Sequence, residues 1–139
     1  MRIFPLALAL TILLITLNFA GCSNQQNRSD ALKAADRIHA YLKNQDFASI
    51  YRESSDSFKQ EGEESKFVES MRAISETAGA LKQAKPVAYQ ETIDSNVGKQ
   101  HVLMFDLEFE RARGRERLLF TRTNRGEMQL WDIVIEPVS

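Results

Sequence analysis

One cysteine, Cys22, occurs in 139 residues, so no disulfide within the chain can brace its fold. Three prolines and six glycines are too few for a collagen-like or low-complexity chain. The two histidines, His39 and His101, have no partners at metal-ligand spacing, which leaves no metal signature. Both read as partly exposed surface residues. Neither sign of charge dominates, with 18 Lys and Arg against 19 Asp and Glu. A near-neutral chain has no electrostatic case for nucleic acid. Phosphate loops, nucleophile elbows and calcium loops are missing too, and no cofactor is expected.

What is present begins at the amino terminus. Arg2 precedes an apolar run from Ile3 to Ala20, and small Ala20 and Gly21 stand before Cys22. A charged start, an apolar centre and small residues before a cut describe a secretory signal. A cysteine directly behind such a run resembles the lipobox of bacterial lipoproteins, with Phe19 where leucine is usual. The resemblance implies cleavage before Cys22, a diacylglycerol on its sulfur and often an acyl chain on the new amine. Two chains hold a protein to a bilayer where one binds only reversibly. Ser23 is not aspartate, which by the same resemblance implies the outer membrane, facing the periplasm. Two plainer readings stand beside this one. Ile3 to Ala20 is long enough to span a bilayer uncleaved, although Thr11, Thr16 and Asn18 weaken that reading. Alternatively the signal is an ordinary secretory one and Cys22 a spare thiol.

The expected organisation is therefore a signal peptide at 1–21, a lipidated cysteine with a polar tether at 22–29, and one domain at 30–139. The SNQQNR stretch from Ser23 to Arg28 lacks periodicity and, extended, reaches no more than roughly 20 Å. The domain is long enough to bury a core without disulfides or metals.

Its first half reads helical. Asp30 caps a helix with Leu32, Ala35, Ile38 and Leu42 on one face, ending near Asn44. Asp46 caps a second segment with Phe47, Ile50, Tyr51 and Phe58, and the SSDS run from Ser54 to Ser57 is expected to end regular helix there. Ser65 caps a third with Phe67, Val68, Met71, Ile74 and Ala78, stopped by Gly79.

The second half alternates as strands do. Val87, Tyr89, Glu91 and Ile93 share one parity, and a turn follows at Ser95–Gly98. Leu103, Phe105, Leu107 and Phe109 then alternate with polar residues. A tight turn at Arg113-Gly114 sets Phe109 opposite Leu118 and Leu107 opposite Phe120. The same register pairs Arg111 with Glu116 and Glu110 with Arg117. A second turn at Arg125-Gly126 sets Phe120 against Trp131 and Leu118 against Ile133. The fold class is α+β: three N-terminal helices packed on a curved antiparallel β-meander of about four strands.

DFASIYRESSDSFK, then SKFVESMRAI, then RLLFTRTNRGEMQLWDIVI resemble the nuclear transport factor two-like superfamily, from about Ala31 to Glu136. The resemblance implies a cystatin-like cone with helices closing over a concave sheet. It leaves function open, because that fold serves enzymes and binding proteins alike.

Positions 103, 105, 107, 109, 118, 120, 131 and 133, assigned to the inner face, are all apolar, which argues against a catalytic floor. Glu91 on that parity either acts as a base with a raised pKa or sits at a solvated rim. Tyr41, Tyr51, Tyr89 and Trp131 either line a pocket for a small apolar ligand or are plain core. Arg122 either meets an anionic ligand or covers the rim with its stem. Arginines 111, 113, 115 and 117 read as a solvated hairpin, with anionic headgroups as a weaker option. Met104, Leu119, Leu130 and Val134 on the outer face leave a homodimer open. Together these features favour a lipid-anchored envelope domain that binds a protein or small ligand. The alternative is a small isomerase- or hydrolase-like enzyme using the cone interior.

Overall fold

Alternation of apolar and polar residues along three consecutive segments dictates a sheet with one buried face. The computed structural model shows that sheet; it describes residues 19–138, with side chains described from Ser23 onward. Residues 1–18 of the expected signal segment, and the side chains of residues 19–22 with Cys22 among them, lie outside the described part. Helices α1 (Phe19–Lys43), α2 (Phe47–Glu53), α3 (Asp56–Gln60) and α4 (Glu64–Ala78) precede strands β1 (Leu81–Asp94), β2 (Gly98–Phe109), β3 (Arg113–Arg122) and β4 (Met128–Val138). The strands pair antiparallel in the order β1-β2-β3-β4. The class is α+β, as the patterning predicts.

Among the described residues the helices number four, because the serines split the expected second helix. The Ser54 hydroxyl donates to Ile50 O at 2.6 Å, and Ser55 Oγ accepts from the Phe58 amide at 3.1 Å. One serine ends α2 and the next starts α3. Asp46 caps α2 through the Ser49 amide, as expected. Asp30 and Ser65 are not caps. Asp30 lies inside α1, and α4 begins from Glu63.

Ser23–Arg28, expected as an aperiodic tether, is helical and continuous with α1. An apolar stripe is not what holds it. Asn27 makes two tertiary hydrogen bonds, and a side-chain tie of that kind leaves no hydrophobic period to read.

Ala31, Ala34, Ala35, Ile38 and Leu42 face the sheet and are buried. The three alanines let α1 approach closely, and α1 packs across β1, β2 and β4 while α4 packs on α2. Leu103, Phe105, Leu118 and Phe120 beneath α1 have lost almost all solvent contact.

The β2–β3 register differs from the expected one by six residues. Leu103 faces Leu118 and Leu107 faces Gly114, so the turn is Glu110-Arg111 rather than Arg113-Gly114. An even shift keeps every side chain on its face, which is why the buried set is right although the pairs are wrong. Gly114 is needed inside β3, since a Cβ there would lie 3.0 Å from Glu136 O. The expected Arg111–Glu116 and Glu110–Arg117 pairs do not form. Arg115 meets Asp106 at 3.4 Å and Arg117 meets Asp132 at 2.8 Å on the outer face.

Beside a register shift at Leu81/Gln83, two further bulges set the remaining faces. One at Pro86/Ala88 throws Val87 out to 48% exposure. The other, opposite Leu119/Phe120, leaves Leu118 facing Ile133 as expected but sets Phe120 against Leu130. Leu130 and Met128 are consequently buried, while Trp131 stays half-buried and outside the core. The extra residue of a bulge inverts the alternation beyond it.

Candidate functional site

Polar side chains converge where the first described turns of α1 cross the ends of β1 and β3. Asn27 Nδ2 donates to Glu91 Oε1 at 2.8 Å, and Asn27 Oδ1 accepts from Arg122 Nη2 at 2.8 Å. Arg122 also reaches Asp30 Oδ2 at 3.0 Å and the Gly126 carbonyl. Lys99 Nζ stands 3.5 Å from Glu91 Oε2. Arg122 is thus neither a bare anion site nor only a stem over the rim; it ties helix to strand. It holds the Asp30 carboxyl below the usual carboxylate range, helped by Gln26.

Glu91 carries no raised pKa. The Asn27 amide, then the Tyr89 hydroxyl and Lys99, outweigh burial and hold it below its ordinary value. A carboxylate so stabilised is a weaker base, and both of its oxygens have partners.

Behind Glu91 lies a second layer. The Tyr89 hydroxyl donates to Glu91 Oε1 at 3.0 Å and lies 3.0 Å from His101 Nδ1, with the two rings stacked 6.3 Å apart. With its one proton directed to Glu91, the hydroxyl oxygen accepts from the ring N–H. Burial and then Glu91 raise the Tyr89 pKa, so the phenol stays protonated.

His101, expected at the surface, is 1% exposed. It shares the parity of Leu103 and Phe105, a signal that was legible. Burial holds its pKa below the ordinary 6.5 despite Glu91. Just under pH 6.5 the unfolded chain therefore binds more protons than the folded one. The stability His101 contributes is present above 6.5 and is lost as pH falls toward its folded value. Melting temperature measured across that range is expected to drop on the acid side, and His101→Gln to flatten the drop. An unchanged slope in the variant removes His101 as the cause.

His39, also expected at the surface, is buried at 6% exposure. Its Nε2 lies 2.6 Å from Glu116 Oε2, and Glu116 is fully buried with Oε1 lacking a hydrogen-bond partner. His39 follows Ala35 by one turn and Glu116 shares the parity of Leu118 and Phe120. Both patterns point inward.

The other expected pocket residues do not join this cluster. The Tyr41 hydroxyl donates to Glu53, which raises its pKa, and Glu53 also pairs with Arg37 at 3.0 Å. Tyr51 donates to the Gly62 carbonyl at 2.7 Å and packs with Phe58 and Phe67. Trp131 sits at the bulge. Tyr89, Glu91 and Arg122 are brought together; Tyr41, Tyr51 and Trp131 are not.

Among the described residues, side chains pack the space beneath the helices. The space between Leu42, Phe47, Met71 and Phe109 is about 10 Å³, roughly what one water needs. The larger clefts are open ones. One of about 560 Å³, between α1 and the β3–β4 turn, is lined by Asp30, Lys33, Arg37, Glu53 and Glu127 among others. Another of about 340 Å³ runs between α4 and the end of the sheet, lined mainly by Ala73, Ile74, Ala78, Phe109, Ile135 and Pro137. Sequence reasoning missed it, because its walls come from four separate elements.

Among the described residues no cluster of three His, Cys, Asp or Glu side chains could hold a metal. No described helix is long and apolar enough to cross a membrane. Compared with known proteins, the chain matches no family model and no curated protein.

Proposed function

We propose that this chain is a lipid-anchored cell-envelope protein, held through Cys22, whose domain binds an apolar ligand or protein segment without catalysing a reaction. The carrying observation is that side chains fill the space over the sheet's inner face, while an apolar groove beside α4 stays open. Glu91, the residue the enzyme alternative depends on, is committed to Asn27, Tyr89 and Lys99. The helix-over-sheet arrangement agrees with a nuclear transport factor two-like domain. The lipobox resemblance favours the outer membrane on its periplasmic side. Half-buried Met104, Leu119 and Val134 on the outer face leave room for a homodimer.

Labelling with radioactive palmitate tests the anchor: the label enters the native chain and is absent from Cys22→Ser. An unlabelled native chain rejects the anchor. The groove is tested separately with a naphthylamine fluorophore, whose saturable binding is expected to weaken about tenfold when Ala73→Arg crosses the apolar wall. Equal binding by both proteins rejects the groove as the site.

A further inference from the structure

Cys22 lies on the backbone of α1 only five residues before Asn27. At 1.5 Å per helical residue that interval is about 7.5 Å. Asn27 bridges Glu91 on β1 and Arg122 on β3, and Arg122 also grips Asp30 one turn further along α1. A chain anchored at Cys22 therefore has almost no slack before it is fastened to the sheet. Whatever holds Cys22 must lie close to this end of the molecule.

The features at this end are specific. At the end of β1, beside the β1–β2 turn, Ile93 is 81% exposed, the most exposed large hydrophobic among the described residues. Ile93 faces Lys99 across the hairpin. Arg28 and Arg125 are exposed nearby on α1 and the β3–β4 turn. Among the acids, Asp94 spends Oδ1 on the amides of Asn96 and Val97, Glu91 is engaged as described, and Glu127 is exposed. An isoleucine beside basic side chains suits the boundary between headgroups and acyl chains.

We infer that the sheet end carrying the β1–β2 and β3–β4 turns rests on the phospholipid bilayer that holds the anchor, in an orientation set by the Asn27–Glu91–Arg122 clasp. This rests on the acylation of Cys22 proposed above. A flexible tether would leave the domain free to tumble; the clasp removes that freedom. The Glu110-Arg111 turn and the apolar groove lie at the far ends of the same strands, on the order of 30 Å away. The arginine-rich β3 start therefore points away from the headgroups, and the groove opens toward the aqueous compartment.

Acylation consumes the single native thiol, so a spin label can be placed on Ile93→Cys or, at the opposite end, on exposed Lys82→Cys. The acylated protein is reconstituted in vesicles of mixed phosphatidylethanolamine and phosphatidylglycerol, and its amino-terminal mass is measured on the same sample. The label at 93 is expected to be several-fold less accessible to a water-soluble nickel chelate than the label at 82. Adding Asn27→Ala is expected to abolish most of that difference. Equal accessibility at 93 and 82 in acylated, vesicle-bound protein overturns the inference and leaves the anchor standing. A difference that survives Asn27→Ala overturns the role of the clasp. An unacylated amino terminus overturns the anchor and this inference together.

Discussion

Replacing His39 by alanine is expected to destabilise the folded chain by about 3–5 kcal/mol, because it strands Glu116 in the core. Glu116 is fully buried between Phe105 on β2 and Ile135 on β4, and His39 supplies its hydrogen bond. The imidazole is itself held edge-on to Phe105, with centroids 4.5 Å apart. Glu116→Gln should do less harm, since an amide keeps a polar contact without a charge. The informative variant is the double one. His39→Leu with Glu116→Met replaces the pair by apolar groups of similar size and is expected to fall near the parent stability or above it. Urea denaturation measures all four proteins, and a loss below about 1 kcal/mol for His39→Ala would show that the pair behaves like an exposed one. Its use to the fold is then specificity: His39 and Glu116 meet only when α1 and β3 hold this rotation and register.

That pair also shows how far the sequence could be read. Strand parity placed Leu103, Phe105, Leu107, Phe109, Leu118 and Phe120 inward, and all are buried. Parity is insensitive to an even register shift, so the β2–β3 pairs were misassigned while the faces were not. Bulges escape it altogether. One extra residue at Trp131 exchanged its place with Leu130, and nothing local in the strand marks the position. His39 and His101 lie on inward faces that helix and strand periodicity mark, but residue type alone points to the surface; Glu116 shares the inward parity of Leu118 and Phe120, and its partner is His39 rather than the expected Arg111. Tertiary partners decide such cases, and a partner 77 residues away leaves no local trace. The same holds for Asn27, whose helix is fastened by β1 and β3. Of the expected pocket, only Tyr89, Glu91 and Arg122 share a neighbourhood, since the helical aromatics had no register to relate them to the sheet. Gly79, by contrast, was readable as a stop from its type alone.

The structure asks more of Gly79 than a stop. Its φ of +85° is open to glycine and strained for other residues. It also lies under the β2–β3 turn, which closes onto the end of α4. The Arg111 amide donates to Ala78 O at 2.8 Å and the Glu110 amide to Ala80 O at 3.0 Å. The Arg111 guanidinium donates to Glu76 O at 2.7 Å, and the Ala80 amide to Glu110 Oε2 at 3.1 Å. Two of these bonds satisfy the Glu76 and Ala78 carbonyls at the end of α4, and all four hold a turn whose two residues have no positive φ. A Cβ on residue 79 would lie 2.7 Å from both Glu110 Cβ and its Oε2. The carboxylate can swing aside, but Glu110 Cβ moves only with the turn. Gly79→Val is therefore expected to lower stability by roughly 2–5 kcal/mol, combining backbone strain with overpacking. Glu110→Ala alone should cost far less, because Glu110 and its pair with Arg111 are exposed. Hydrogen exchange separates the two contributions: Gly79→Val should speed exchange of the Glu110 and Arg111 amides well before the core strands. If those amides exchange as slowly as in the parent while global stability falls, the strain lies within residue 79 and the turn is not its support.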